Sequence, residues 1–139
     1  MSQQLATFTL AGARYGIDVL RVQEALRGQA RTRVPLAAPT VAGLINLRGQ
    51  VVLTIDLRAR LGMEPLAADL VPMMIVVEVD GEQISLLVDD LGDVIDIEEQ
   101  QLAPPPDTLS TSSREVILGV YALEHSLLLA LDIDRATSG

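Results

Sequence analysis

Apolar and polar residues alternate along most of this chain with a period of two, the spacing of a half-buried strand. Over 6–10, Phe8 and Leu10 fall on one face and Thr7 and Thr9 on the other. Ala11-Gly12-Ala13 then turns the chain into a second strand over 14–17. Further strands are expected over 31–34, 44–47, 51–57, 73–79, 82–88, 93–97, 115–123 and 126–133. Asp80-Gly81 is the strongest two-residue hairpin signal in the chain, and the last two runs form a hairpin turning at Glu124-His125. One stretch switches to helical spacing. Over 19–26, Val19, Val22 and Leu26 recur at i, i+3 and i+7, with Asp18 as N-cap and Gly28 as terminating glycine. Pro39 suits the start of a helical turn over 40–43. Residues 58–71 read as a connector with a helical turn and 100–113 as a proline-rich loop, while 135–139 read as a frayed end.

The most informative stretch is 43–58. A short apolar strand runs into Arg48-Gly49-Gln50, and a second strand leaves it, which reads as a β-hairpin. Glycine at 49 permits φ > 0, so the Arg48 guanidinium stands at the tip of a rigid hairpin. Two readings of Arg48 are open and compatible. It can pair with Glu24 on the neighbouring helix, a contact worth little if exposed. It can also grip a carboxylate or carbonyl of a partner with two donors.

The chain repeats itself. The run from Phe8 to Ile17 matches that from Val77 to Leu86, glycine on glycine, and Leu53 to Leu57 matches Leu129 to Ile133. Each half then holds a hairpin, a lone strand and a second hairpin. Five short antiparallel strands close into a small barrel that removes exposed edges. The expected fold is all-β: one domain over 1–139 made of two five-stranded barrels, about 5–70 and about 71–135.

Composition narrows the chemistry. Cysteine is absent, which removes disulfides, thiolate metal sites and thiol nucleophiles. Phe8, Tyr15 and Tyr121 are the only aromatic residues, so the core must be aliphatic. The first residues lack the pattern of a secretory signal, and no apolar run is long enough to cross a bilayer; a cytoplasmic protein is the default expectation. A net charge of −9 repels phosphate backbones and anionic lipid, which argues against nucleic acid as a partner. All ten basic residues are arginine, which fits either codon bias or bidentate recognition.

No set of residues points to catalysis, a cofactor or a metal. Asp89, Asp90, Asp93, Asp96, Glu98 and Glu99 lack calcium-loop spacing and read as a solvated acidic edge. His125 is the single histidine and falls at a hairpin tip. Asp56 and Asp132 occupy matching places in the repeat and are expected to cap the turns that follow them.

Several blocks together resemble one family. They are Tyr15-Gly16-Ile17-Asp18, Val22-Gln23-Glu24, Val34-Pro35, Val41-Ala42-Gly43-Leu44-Ile45-Asn46-Leu47-Arg48-Gly49 and Ile55-Asp56-Leu57-Arg58. The order continues through Leu87-Val88-Asp89, Asp93-Val94 and the final hairpin, and it looks like that of the chemotaxis coupling protein CheW. The resemblance implies two intertwined barrels of the SH3 kind and no catalysis. It implies an adaptor linking the cytoplasmic tips of methyl-accepting chemoreceptors to the regulatory domain of the histidine kinase CheA, within membrane-associated arrays. An adaptor for a pilus or other kinase pathway carries the same signature. By matched position, the resemblance assigns receptor binding to Val22, Glu24, Gly43, Asn46 and Arg48, in a groove between the barrels.

Overall fold

The computed structural model describes residues 2–138. Among them, ten strands form two five-stranded sheets. The first half of the chain supplies β1 (Ser2–Leu10), β2 (Ala13–Asp18), β3 (Val22–Arg27), β4 (Val41–Leu47) and β5 (Gln50–Asp56). The second supplies β6 (Met73–Val79), β7 (Glu82–Val88), β8 (Asp90–Glu98), β9 (Ile117–Ala122) and β10 (Leu127–Leu131). Three one-turn helices, α1 (Leu57–Arg60), α2 (Thr111–Arg114) and α3 (Ile133–Thr137), join or follow them. None of the helices is long and apolar enough to cross a membrane.

The strands do not divide at residue 70. One sheet runs β8-β1-β2-β10-β9 and the other β3-β6-β7-β5-β4, so each takes strands from both halves. The expected division into barrels of about 5–70 and about 71–135 is overturned by this exchange. Each half keeps its first hairpin but sends its lone strand and second hairpin to the other half's sheet. The repeat is nevertheless real, and it sets the register. β10 lies parallel to β2 with Leu129 on Tyr15, and β5 lies parallel to β7 with Leu53 on Ile84, positions that the sequence repeat equates. One parallel pair per sheet is the consequence; the other pairings are antiparallel.

Each sheet closes on itself. Thr32, beyond β3, exchanges two 2.8 Å backbone hydrogen bonds with Leu44 of β4, the opposite edge. Ala103, beyond β8, does the same with Val120 of β9 at 2.8 and 2.9 Å. The strand expected over 31–34 is reduced to the Thr32 bridge. A central core containing Phe8, Ile17, Leu57, Ile75, Leu86 and Ile133 joins the two sheets, and its one aromatic contact is Phe8 stacked on Tyr15 at 5.7 Å. Thr7, placed by alternation on the outer face, is buried, because β1 slips register against β8 and the Thr7 hydroxyl donates to the Asp93 carbonyl.

Two local expectations fail because pairing outcompetes a short helix, and a third fails in the opposite sense. Residues 19–26 are a 3-10 turn, Val19–Arg21, followed by β3. Asp18 does cap the turn, accepting from the Leu20 amide at 2.9 Å. An isolated eight-residue helix is marginal, and Val22, Glu24 and Leu26 also satisfy strand alternation against β6. Residues 40–43 enter β4 rather than a helical turn. The frayed end is instead α3, which buries Ile133 and Ala136 behind Asp132, whose side chain accepts from the Arg135 amide at 3.1 Å. Asp56 caps α1 in the same way through the Ala59 amide, as the repeat anticipated.

Candidate functional site

β4 and β5 pair with Leu47 opposite Gln50, which leaves a two-residue loop, Arg48-Gly49. Their φ values are 52° and 85°, the left-handed pair that a type I′ turn requires. Asn, Asp or Gly is the usual first residue of such a turn; an arginine there carries backbone strain on the order of 1 kcal/mol. Asn46 ties the loop down, its side-chain oxygen accepting from the Gly49 amide at 2.9 Å.

Arg48 points outward, its side chain 68% exposed, and its Nη2 donates to Glu24 Oε2 at 2.6 Å. Glu24 sits on strand β3, not on a helix, so the pair spans the two edges of the sheet. An exposed pair of this kind contributes about 0.2–1 kcal/mol. Its main effect is to hold the guanidinium in one posture, with further donors free to bond outward.

Val22 and Gly43 have different standing. Val22 is half-buried against the central core, beside the bulge that separates it from Glu24 in the β3–β6 register. Gly43 is buried at the matching irregularity of β4, with φ 140°. A Cβ there would lie 2.7 Å from the Thr32 carbonyl oxygen and 3.2 Å from the Arg31 Cβ. Gly119 occupies the equivalent place on β9, where a Cβ would run into the Ala103 carbonyl. Barrel closure thus calls for glycine at this place in both repeats, and a Gly43→Asp variant tests the fold before it tests docking. Sequence reasoning missed this role, although Gly43 and Gly119 stand the same distance ahead of the matched runs 53–57 and 129–133.

The acidic edge divides. Asp90, Asp93, Asp96 and Glu98 are exposed along β8. Asp89 is not part of that solvated edge. Both its oxygens take hydrogen bonds from Arg58, at 2.6 and 2.5 Å, and the Ala11 amide donates to it at 2.8 Å. Burial pushes its carboxyl up, and these donors outweigh burial, leaving it below its ordinary value. Among the described residues, no three His, Cys, Asp or Glu side chains gather as metal ligands would. His125 is exposed at the β9–β10 tip, 3.7 Å from Glu124.

With this geometry in hand, the matches to known proteins are consistent with one another. The CheW-like domain model matches residues 4–138. The chain belongs to the CheW-like family. It is 32% identical to Chemotaxis protein CheW of Klebsiella aerogenes over 139 residues, covering 99% of this chain and 83% of that one. It is 30% identical to Chemotaxis protein CheW of Rhizobium meliloti, covering 95% and 85%. The crystal structure of scaffolding protein TtCheW from Thermoanaerobacter tengcongensis superposes with a TM-score of 0.87 at 28% identity, covering 100% of this chain and 94% of that chain. Two intertwined five-stranded units are therefore the CheW-like fold, and scaffolding is the family's kind of work.

Proposed function

We propose that this protein is a non-enzymatic adaptor that couples chemoreceptor cytoplasmic tips to the histidine kinase CheA in a chemosensory array on the inner side of the membrane. Membership of the CheW-like family supports the adaptor role. The observation that carries the docking surface is Arg48. It is an arginine kept at a turn position that favours asparagine or glycine, exposed, and aimed by a carboxylate on the opposite sheet edge. Turn chemistry gives no reason for such a residue, whereas a partner that needs a preorganised guanidinium does.

A receptor tip is a helical hairpin, and helices seat against apolar walls with polar contacts at the rim. Val22 and the backbone around Gly43 supply the wall. Asn46 and Glu24 hold Arg48 at its edge. Co-sedimentation with a receptor tip fragment and the CheA regulatory domain, singly and together, tests the reading. This protein should bind each alone and bridge them in a three-part complex. Failure to bind either one would end the adaptor account.

A further inference from the structure

The repeat relates two surface grooves as well as two pairs of hairpins. Extending the alignment places Gln3 on Pro72, Asp18 on Leu87, Asp132 on Asp56 and Asp134 on Arg58. Pro72, Leu87, Asp56 and Arg58 line a cavity of about 270 Å³. Gln3, Asp18, Asp132 and Asp134 line another of about 470 Å³. Each carries an arginine–aspartate pair, with the charges exchanged. Arg58 of α1 holds Asp89 in the first; in the second Asp134 of α3 takes the place of Arg58 and holds Arg21 at 2.7 Å.

The difference lies in the outer wall. In the smaller groove Pro65, Leu66, Ala67, Ala68 and Leu70 of the connector form one side, and Arg58 Nη1 anchors that segment through the Glu64 carbonyl at 2.8 Å. Among the described residues, none beyond Asp134 lines the larger groove. Its apolar surface, from Leu5, Ile17, Tyr121 and Ala130, is bordered by Leu102 and Leu118, which are 37% and 54% exposed. The charges differ too. The walled groove sets Arg31 and Arg58 against Asp56 and Asp89. The open one sets Asp18, Glu99, Asp132 and Asp134 against Arg21, with Arg135 standing 3.7 Å from Asp132 at the margin.

We propose that the open groove docks an extended segment of a partner protein, with a proline followed by small apolar residues and with basic side chains at either end. The connector at the walled groove is the template for the shape: a proline whose fixed φ lowers the ordering cost, then leucine and alanines along the apolar strip. The excess of carboxylates selects the charge, since a basic segment is drawn in and an acidic one repelled. Arg21 is already committed, donating to the Glu78 carbonyl at 3.0 and 2.9 Å as well as to Asp134. The groove shares no lining residue with the Arg48 surface, so the proposal does not rest on receptor coupling.

The test titrates the isotopically labelled whole chain with two synthetic peptides. One is Lys-Pro-Leu-Ala-Ala-Lys-Leu, which is residues 64–70 with lysine for Glu64 and Asp69; the other keeps both acids. The basic peptide should shift the amide resonances of Leu102, Leu118, Tyr121 and Ala130 saturably, and bind at least about tenfold more tightly than the acidic one. Added salt should weaken it. Leu118→Gln and, separately, Leu102→Gln should each cut its affinity about fivefold or more with unchanged melting, because both side chains are partly exposed. Absence of shifts at millimolar peptide, shifts elsewhere, or equal affinity for the two peptides overturns the proposal. Neither receptor nor kinase is in the tube, so such a result leaves the adaptor reading intact.

Discussion

The β4–β5 and β9–β10 hairpins are the same element in two repeats, yet their tips hold their charged side chains differently. Both begin beside a glycine that lets a bridging strand approach, and both close their sheet. At the first tip Arg48 is gripped by Glu24, and its turn is pinned by Asn46. At the second, the Glu124 and His125 side chains are each 88% exposed and stand 3.7 Å from one another. The backbone supplies a projecting loop in both cases. What sets the first apart is a neighbouring carboxylate that holds its side chain and an amide oxygen that pins its turn. The repeat thus keeps closure at both ends while the two tips diverge, and under the proposed function the first is the one used for recognition.

The largest effect should fall on what the two hairpins share. Gly43→Ala and Gly119→Ala each force a Cβ toward a carbonyl of the bridging strand, Thr32 or Ala103. Clash and, at Gly43, a φ of 140° should cost about 2–4 kcal/mol. Thermal unfolding should shift down on the order of 10 °C for both. Melting within two degrees or so of the parent in either variant would show that closure tolerates the side chain.

What the hairpins do not share comes next. Arg48→Glu should lower receptor-tip affinity about 100-fold, the scale of a central interface arginine, with little change in melting. Glu124→Arg, at the other tip, should change it by less than about twofold. Double substitution of Glu24→Arg with Arg48→Glu restores the ion pair but not the outward cation. If the double variant binds normally, Arg48 acts only by closing the sheet, and the asymmetry between tips is structural.

Much of this was legible in the sequence because alternation and X-Gly turns are local signals. Asp80-Gly81, Arg48-Gly49 and the Asp56 and Asp132 caps all follow from residues within four positions of one another. The exchange of strands between halves was not legible. β3 pairs with β6 across some fifty residues, and nothing in 22–27 names its partner. The same pairing turned the second part of the 19–26 helix pattern into a strand, since Val22, Glu24 and Leu26 alternate as the more buried positions once β6 lies beside them. Of the candidate site, the pairing of Arg48 with Glu24 was legible, though Glu24 was expected on a helix and lies on β3. The part Gly43 plays in barrel closure was not legible, because the Thr32 carbonyl that crowds it lies on a segment whose pairing no local signal names.

The two ion pairs at the grooves sharpen the comparison at lower energy. Arg58 and Asp89 are each 16% exposed, whereas Asp134 of the second pair is 65% exposed. Asp89→Asn should cost about 1.5–3 kcal/mol at neutral pH, the range for hydrogen bonds to a charged group. The folded-state carboxyl of Asp89 lies below its ordinary 3.8, so its contribution is full above that value and is lost as pH falls through the folded value. The gap between parent and variant should therefore close below pH 3.8, as followed by denaturant unfolding across a pH series. Asp134 is also held below its ordinary value by Arg21, but Asp134→Asn should open a smaller gap. A gap that is constant with pH would mean Asp89 acts by shape alone.

The smallest effect is the most diagnostic. Ala11-Gly12, at 51° and 83°, has the turn geometry of Arg48-Gly49 without an ion pair. Ala11→Asn should therefore measure the turn term by itself, a gain of about 0.5–1 kcal/mol. Arg48→Asn should make the same gain less the 0.2–1 kcal/mol or so of an exposed pair, leaving melting between about 2 °C below and about 4 °C above the parent. Receptor affinity should nevertheless fall about tenfold or more. A variant that folds at least as well and binds worse would mean that arginine is kept at this turn for the partner, against the preference of its own backbone. If Arg48→Asn instead loses more than about 1 kcal/mol while Ala11→Asn gains, the Glu24 pair is a structural clasp across the sheet edges, and the two tips differ in closure rather than in recognition.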